Sequence, residues 1–203
     1  YTVRNVADIV HLKDGLEAAG AENTAVIGGG FIGIEVAENL AKAGKKVTVV
    51  EAMNQILAPF DYDMVQMLHK ELLDNGVSLI VEDGVKTIEE KQITLASGKT
   101  VPADAVILAI GVAPETGLAK AAGLEIGETG GILVDHNYRT SDKNIYAVGD
   151  AIEVFDRMTG KPSRLALAGP ALRQARGGRR MRCMGFRMTT EVLSVPVHCV
   201  YLA

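Results

Sequence analysis

The segment Gly28–Gly33 restricts the fold of this chain more than any other part of the sequence. It reads Gly-Gly-Gly-Phe-Ile-Gly and so contains the spacing G-x-G-x-x-G. A short apolar, β-branched run, Thr24–Ile27, comes before it, and a segment with helical periodicity, Ile34–Ala43, comes after it. A second apolar run, Val47–Val50, then ends in Glu51. The order of strand, glycine turn, helix and strand predicts a βαβ unit that binds a dinucleotide.

Each glycine with the motif spacing has its own physical role in such a unit. Gly28 permits a tight turn, Gly30 lets a pyrophosphate approach the backbone, and Gly33 allows the helix to pack closely on the sheet. The first turn of the helix offers unpaired N–H groups and a partial positive charge to the phosphates. A strand–turn–helix corner without any phosphate remains the alternative interpretation of this loop.

The acidic residue at the end of the second strand indicates which dinucleotide is bound. The carboxylate of Glu51 can accept hydrogen bonds from the adenosine ribose, and its charge would repel a 2′-phosphate. No arginine follows it, because the next three residues are Ala, Met and Asn. The sequence therefore favours NADH over NADPH. A solvated carboxylate at a strand end is the alternative interpretation of Glu51.

Strands alternate with helices along most of the chain, and this order predicts an α/β fold with a doubly wound parallel sheet. Two more helices are expected, over Val10–Ala19 and Asp61–Asn75. Shorter alternating runs around the turn at Ser97-Gly98 indicate a small antiparallel meander. His69 is interpreted as a surface residue of the second helix. Further strands are predicted over Val77–Val81, Val85–Glu89, Gln92–Leu95, Ala105–Ile110, Ile132–Val134 and Ile145–Val148.

Composition argues against several classes of function. The 203 residues carry a net charge of -4, so no basic face for nucleic acid is expected. No apolar run reaches the roughly 18 residues of a membrane-spanning helix, and no secretory signal opens the chain. Cys183 and Cys199 have neither a CxxC nor a metal-ligand spacing. We therefore expect a cytoplasmic protein, and the first residue, Tyr1, suggests a chain that begins inside a longer one.

Four motifs, in this order and spacing, resemble those of the pyridine nucleotide-disulfide oxidoreductases: Ala25–Glu35, Ile107–Pro114, Ile145–Asp150 and Leu167–Ala171. Within that family the chain is most similar to the branch of coenzyme A-disulfide reductase, NADH oxidase and NADH peroxidase. The resemblance implies a Rossmann-like NAD(P)-binding domain over residues 1–120. It also implies the second, incomplete part of an FAD-binding domain over residues 121–177, followed by a tail over residues 178–203.

The resemblance further implies roles for single residues. Phe31 would shield the flavin until the nicotinamide arrives, Glu35 would lie near the nicotinamide carboxamide, and Asp150 would bind the ribityl chain of FAD. Ordinary packing is the alternative for Phe31, and a carboxylate near the helix dipole is the alternative for Glu35. No catalytic side chain and no metal ligand is predicted. The predicted cofactor-binding residues are Gly28, Gly29, Gly30, Phe31, Ile32, Gly33, Glu35, Glu51, Ala109, Ile110, Gly111, Gly149, Asp150 and Ala168.

Three parts of the family pattern have no counterpart in this sequence: the first FAD-binding glycine motif, the redox cysteine and the C-terminal dimerisation domain. We expect a fragment of a flavin-dependent oxidoreductase that passes a hydride from NADH to FAD and on to a disulfide, a peroxide or oxygen. Full-length relatives are homodimers. One alternative is an NADH-binding module without turnover, which would not retain FAD. A simple NAD dehydrogenase is a third possibility, against which the flavin motif at Gly149-Asp150 argues.

The family pattern stops near Gly178, where a basic run without a clear period begins. If each codon of 178–197 is read across its boundary, allowed codon choices give a sequence that resembles the family's continuation. One hypothesis is therefore that residues 178–203 are frameshifted and disordered. A genuine basic tail is the alternative, and the DNA sequence of the gene decides between them.

Overall fold

The computed structural model describes the backbone of residues 1–183 and the side chains of residues 1–177. These residues form two compact units, Tyr1–Gly111 and a second unit that begins at Val112. The domain boundary predicted at residue 120 stays a prediction. Residues 184–203, which include Cys199 and most of the predicted tail, lie outside the described residues.

The secondary-structure elements follow one another in an order close to the predicted one. In chain order they are α1 (Val6–Ala18), β1 (Asn23–Ile27), α2 (Phe31–Lys42), β2 (Lys46–Val50), α3 (Tyr62–Asp74), β3 (Ser78–Ile80), β4 (Val85–Ile88), β5 (Gln92–Leu95), β6 (Thr100–Pro102), β7 (Ala105–Leu108), α4 (Gly117–Ala121), β8 (Val154–Asp156), β9 (Lys161–Ser163) and α5 (Ala168–Cys183).

A four-stranded parallel sheet with the order β3-β2-β1-β7 forms the centre of the first unit. The strands β1 and β2 are in register from Asn23↔Lys46 to Ile27↔Val50, so both end at the same edge. Four of the five residues of β1 are buried, because this strand has a neighbour on each side and a core on each face. The predicted α/β fold with a parallel sheet is confirmed.

The two faces of this sheet are covered by different elements. Alternating side chains such as Val26 and Val49 enter a core with Leu16 of α1, Leu40 of α2 and Leu72 of α3. On the other face Ala25, Ile27 and Val50 pack against the strands β4, β5 and β6, which form an antiparallel sheet. The predicted antiparallel meander is therefore confirmed, and it supplies the second core.

Local sequence explains where the helices begin and end. The side chain of Asn5 caps α1 by accepting the N–H of Asp8. Helix α2 begins directly after Gly30, and Gly44 follows it with a φ of +77°, a left-handed conformation that glycine adopts without strain. Asp61 is the N-cap residue of α3, and its carbonyl accepts the first helical bond, from the N–H of Val65 at 3.1 Å. Each of the helices α1, α2 and α3 buries apolar side chains against the parallel sheet.

The second unit has few regular strands. The predicted strands Ile132–Val134 and Ile145–Val148 are wrong, since only isolated bridges form there, for example Ile132↔Ile152. The apolar side chains are buried all the same, and they build a separate core around Ile132 and Ala147. Here an apolar run marks burial without a ladder of backbone hydrogen bonds.

Four elements of the second unit were not predicted: the short helix α4, the strands β8 and β9, and helix α5. The strands β8 and β9 form an antiparallel hairpin with Val154↔Ser163 as one pair. Helix α5 begins at Ala168, inside one of the family motifs, and continues through residues 178–183 of the predicted tail. The first residues of that tail are therefore helical in the described backbone.

Candidate functional site

The glycine loop lies at the carboxyl end of β1 and turns sharply into α2. Gly28 has a φ of +104°, and its N–H donates to the carbonyl of Val50 at 2.8 Å. A Cβ at this position would lie 2.5 Å from the carbonyl oxygen of Ala109. Both the left-handed backbone and the close approach of Ala109, the residue after β7, require glycine at position 28.

Two other glycines of the loop are also required by packing within the protein. A Cβ on Gly29 would lie 2.6 Å from Cγ2 of Ile56, and a Cβ on Gly33 would collide with the carbonyl oxygen of Gly28. Gly33 therefore lets the first turn of α2 rest directly on the turn that precedes it. This packing is the role that the sequence analysis predicted for Gly33.

Gly30 differs from the other three glycines because the protein itself leaves its side-chain position open. No heavy atom lies within 4 Å of a Cβ built on Gly30, and its φ of -74° is one that any residue adopts. The fold alone therefore does not require glycine at position 30. A ligand that approaches the backbone at this point gives a physical reason for the missing side chain.

The first turn of α2 presents amide groups at the same place. The N-cap residue is Gly30, which has no side chain to cap the helix, and the first helical bond is from the N–H of Ile34 to the carbonyl of Gly30 at 3.0 Å. The N–H groups of Phe31, Ile32 and Gly33 therefore precede the helical ladder. Helix N–H groups without an intrahelical acceptor favour an anionic ligand.

Glu51 lies beside the loop at the end of the neighbouring strand. Its Oε2 accepts the N–H of Gly29 at 2.7 Å, and its Oε1 accepts the N–H of Met53 at 2.9 Å. The carboxylate is half-buried, and its position is set by the matched register of β1 and β2. Because each carboxylate oxygen has a second lone pair, Glu51 can still accept hydrogen bonds from a ligand.

The remaining predicted residues of the first unit are mostly exposed. The exposed fractions are 48% for Phe31, 42% for Ile32 and 73% for Ile110. The ring of Phe31 contacts that of Phe60 edge to face, with centroids 6.0 Å apart. The other three predicted residues are Glu35, which is exposed, Ala109, which is half-buried, and Gly111, which is exposed with a φ of +102°.

The loop that follows Glu51 contacts the glycine loop, and no pattern in the sequence indicated this contact. The N–H of Leu57 donates to the carbonyl of Gly29 at 2.8 Å, and the N–H of Ile56 donates to Nε2 of His69 at 3.3 Å. His69 is half-buried on α3, and its interpretation as a residue of the helix surface did not include this backbone partner. Burial lowers the pKa of the His69 imidazole. Helical periodicity cannot reveal a polar side chain whose partner lies in a loop.

The second unit contains its own arrangement of polar groups at Gly149 and Asp150. Gly149 has a φ of +87°, and its N–H donates to Oε1 of Gln174 at 2.7 Å. Gln174 is buried on α5, a signal that the sequence alone did not provide. Oδ1 of Asp150 is buried and has no hydrogen-bond partner among the described residues, and burial raises the pKa of this carboxyl group. The last predicted residue, Ala168, is exposed at the start of α5.

The residues present fit the cofactors that the sequence implied. The open position at Gly30, next to amide groups and a carboxylate, fits a pyrophosphate joined to a ribose. The orphaned Oδ1 of Asp150 fits a hydroxyl donor such as a ribityl group. Among the side chains that the structure describes, residues 1–177, no cluster is suited to hold a metal ion.

The sequence matches one protein family and curated relatives of this chain. The family model described as pyridine nucleotide-disulphide oxidoreductase matches residues 1–175. The NADH oxidase of Methanocaldococcus jannaschii is 36% identical over 180 residues, which cover 87% of this chain and 40% of that protein. The chain thus spans less than half the length of this relative.

Solved structures give the same result. Reduced CoADR-RHD of Bacillus anthracis superposes with a TM-score of 0.85 at 44% identity, over 89% of this chain and 33% of that one. The water-forming NADH oxidase of Lactobacillus brevis bound to NADH has a TM-score of 0.75 at 30% identity, over 89% of this chain and 40% of that one. None of the helices in residues 1–183 combines the length and apolar character needed to span a bilayer.

Proposed function

Because the chain belongs to the pyridine nucleotide-disulphide oxidoreductase family, we propose that its first unit binds NADH at the Gly28–Gly33 loop. The pyrophosphate lies against the backbone at Gly30, and the N–H groups at the start of α2 donate to it. The carboxylate of Glu51 accepts the hydroxyl groups of the adenosine ribose. The open side-chain position at Gly30 is the observation that carries this proposal.

The experiment that tests it compares two glycine-to-alanine variants by calorimetry with NADH. In Gly30→Ala the new methyl group meets no protein atom within 4 Å, so the thermal stability stays that of the wild type. The methyl group occupies the space of the pyrophosphate, so NADH affinity falls about tenfold or more, equivalent to at least about 1.4 kcal/mol.

Gly84→Ala is the matched control. A Cβ there would meet only the Cβ of Ala52 at 3.6 Å, which is ordinary van der Waals contact. Both stability and NADH affinity are expected to stay unchanged. If Gly30→Ala binds NADH as tightly as Gly84→Ala does, the pyrophosphate does not lie at Gly30 and the proposal fails.

Selectivity for NADH over NADPH follows from charge. The carboxylate of Glu51 would stand opposite the 2′-phosphate of NADPH, and the following residues Ala52, Met53 and Asn54 offer no cation to compensate. NADPH is therefore expected to bind more weakly than NADH to the wild type. Equal affinity for the two dinucleotides would contradict this part of the proposal.

For the complete enzyme we propose an oxidoreductase in which the second unit contributes to a flavin site. NADH would supply a hydride, FAD would accept it, and the electrons would continue to a disulfide, a peroxide or oxygen. When FAD is bound, the unpartnered Oδ1 of Asp150 would accept a hydroxyl of the ribityl chain, and Ala168 would lie near the flavin ring. By family resemblance, Phe31 would shield the flavin face until the nicotinamide arrives, and Glu35 would lie near the carboxamide. Gly111–Pro114 would pass beside the nicotinamide half of NADH, and Ala109 and Ile110, which precede this segment, are also predicted to contact the cofactor.

The second candidate function is an NADH-binding module without turnover. The observation that favours it is that the sequence contains one G-x-G-x-x-G motif, whereas a flavin enzyme that also binds NADH needs a pyrophosphate site for each dinucleotide. The absorbance spectrum of the purified chain separates the two candidates. A flavin band that persists through gel filtration favours the enzyme, and a colourless protein that still binds NADH favours the module.

We further propose that the complete enzyme acts in the cytoplasm as a homodimer on small-molecule substrates, without nucleic acid or membrane partners. The cysteine spacing and the net charge of -4 support this view. Fractionation of cells that express the full reading frame, followed by sedimentation of the purified product, tests both statements. Recovery in the membrane fraction, or as a monomer, would contradict them.

A further inference from the structure

The residues between Glu51 and α3, which we call the 52–60 loop, hold the glycine loop in place through two contacts. The N–H of Leu57 donates to the carbonyl of Gly29 at 2.8 Å. The side chain of Ile56 is fully buried, and its Cγ2 lies so close to Gly29 that a Cβ there would be 2.6 Å away. Since Gly29 also bonds to Glu51, any displacement of Ile56 would be transmitted to the proposed pyrophosphate and ribose contacts.

His69 is the side chain of α3 that fixes this loop. Its Nε2 accepts the backbone N–H of Ile56 at 3.3 Å. A neutral imidazole can accept at Nε2 only when the proton is on Nδ1, and an imidazolium ion cannot accept there at all. The bond between His69 and Ile56 therefore exists only while the imidazole is neutral.

We propose that neutral His69 is a positioning residue that holds Ile56 against Gly29 and so makes dinucleotide affinity depend on pH. This inference deepens the proposed function and rests on it. His69 does not touch the dinucleotide in this account. It acts through the backbone of Ile56, which acts in turn on Gly29.

Protonation of His69 would turn Nε2 into a donor that faces the donor N–H of Ile56, and the contact would become repulsive. Burial lowers the pKa of His69 from 6.5, so the imidazole is neutral at pH 7. As the pH falls from about 6.5 through the lowered pKa, the neutral form is lost and the 52–60 loop is released.

The ionisable groups of the surrounding elements have other partners or are exposed, so we do not attribute the pH dependence to them. At the ends of the loop are Glu51, whose oxygens bond to backbone N–H groups, and Asp61, at the N-cap of α3. On α3 itself, Lys70 pairs with Asp74, and both are exposed. The strand β3, against which α3 packs, consists of Ser, Leu and Ile and has no ionisable side chain.

The test measures the affinity of the chain for ADP-ribose by calorimetry from about pH 5.5 to about pH 8, a range that brackets the ordinary histidine pKa. ADP-ribose keeps the pyrophosphate and both riboses and lacks the nicotinamide. The wild type is compared with His69→Gln, whose amide oxygen can accept a hydrogen bond without titrating. His136→Gln is the matched control, because His136 is exposed.

For the wild type and His136→Gln, the affinity is expected to fall towards the lower pH limit as His69 becomes protonated, by up to about fivefold on full protonation, the equivalent of one hydrogen bond. His69→Gln binds as the wild type does at the upper limit and keeps that affinity at the lower one. His69→Leu, which has no acceptor, binds about fivefold more weakly at both limits. A pH dependence in His69→Gln equal to that of the wild type would overturn the role of His69.

A second measurement needs no variant and so does not depend on how a variant folds. Coupling between two equilibria is reciprocal, so saturating ADP-ribose must lower the pKa of His69 further if binding requires the neutral form. A ligand phosphate that acted only through its charge would raise this pKa instead. NMR titration of the His69 ring with and without ADP-ribose distinguishes the two, and a raised or unchanged pKa contradicts the inference. Absence of ADP-ribose binding to the wild type at the upper pH would instead refute the proposed function itself.

Discussion

The two carboxylates proposed to bind ligands, Glu51 in the first unit and Asp150 in the second, differ in their hydrogen-bond partners. In the first unit both oxygens of Glu51 accept backbone N–H groups, at 2.7 Å from Gly29 and 2.9 Å from Met53. In the second unit Oδ1 of Asp150 is buried without a partner among the described residues. The carboxylate of the first unit therefore has hydrogen-bond partners before any ligand binds, whereas that of the second has one buried oxygen without a partner among the described residues.

The backbone of the first unit is also more regular than that of the second. The first unit has a four-stranded parallel ladder with a core on each face. Around Ile132 the second unit is held by isolated bridges, although it buries a core of its own. Among the described residues, burial of an apolar core and hydrogen bonding of a buried carboxylate are therefore separable, because the second unit has its core but leaves Oδ1 of Asp150 without a partner.

The largest expected effect tests whether the glycine loop of the first unit is as tightly packed as its geometry indicates. In Gly33→Ala the new methyl group collides with the carbonyl of Gly28, a backbone atom that cannot rotate away. We expect the free energy of unfolding to fall by about 3 kcal/mol. Chemical denaturation measures it, with Gly30→Ala as the control whose methyl group enters open space. Equal stability of the two variants would contradict the packing described for Gly33.

The next largest effect concerns Glu51, whose carboxylate is already held by two backbone N–H groups. Glu51→Ala removes the ribose acceptor and also leaves the N–H groups of Gly29 and Met53 unpaired. NADH affinity is expected to fall by about 2 kcal/mol, roughly thirtyfold. The disadvantage of NADPH relative to NADH should shrink at the same time, because the repelling charge is gone. Calorimetry with both dinucleotides measures this, and an unchanged ratio of affinities would argue against the role of Glu51.

A smaller effect of opposite sign is expected in the second unit. The raised pKa of Asp150 means that its contribution to stability is present below the ordinary value of 3.8 and is lost as the pH rises through the raised value. Asp150→Asn removes the charge, so at neutral pH the flavin-free chain should be more stable by at most about 1 kcal/mol. Thermal unfolding of both proteins as a function of pH measures this. A less stable Asp150→Asn variant would mean that the carboxylate has a partner after all.

The smallest effect is expected for an exposed ion pair, and it gives the reference for a change in stability that involves no buried group. Lys42 pairs with Glu38 one turn earlier on α2, and both side chains are more than half exposed. Lys42→Ala is expected to reduce the free energy of unfolding by about 0.4 kcal/mol and to leave NADH affinity unchanged. A loss as large as that of Gly33→Ala would mean that unit 1 is too fragile for the comparison between loop variants to be informative.

Sequence reasoning succeeded where the physical cause is local. The glycine spacing and the apolar runs on both sides gave β1, α2 and β2 within a few residues of their observed bounds. It failed at Ile132–Val134 and Ile145–Val148, because apolar residues are needed for burial whether or not a ladder forms. It also missed α5, where Gln174 is buried to bond Gly149, since a polar residue gives no apolar periodicity.

By itself the sequence determined the order of strand, glycine turn and helix, and it placed Glu51 at the end of the next strand. These features depend on neighbours within one βαβ unit. Only the tertiary structure decided that Gly30 faces open space while Gly28 faces Ala109, and that His69 meets Ile56. Such contacts join residues far apart in the chain, so they exist only after the sheet and its covering elements have packed.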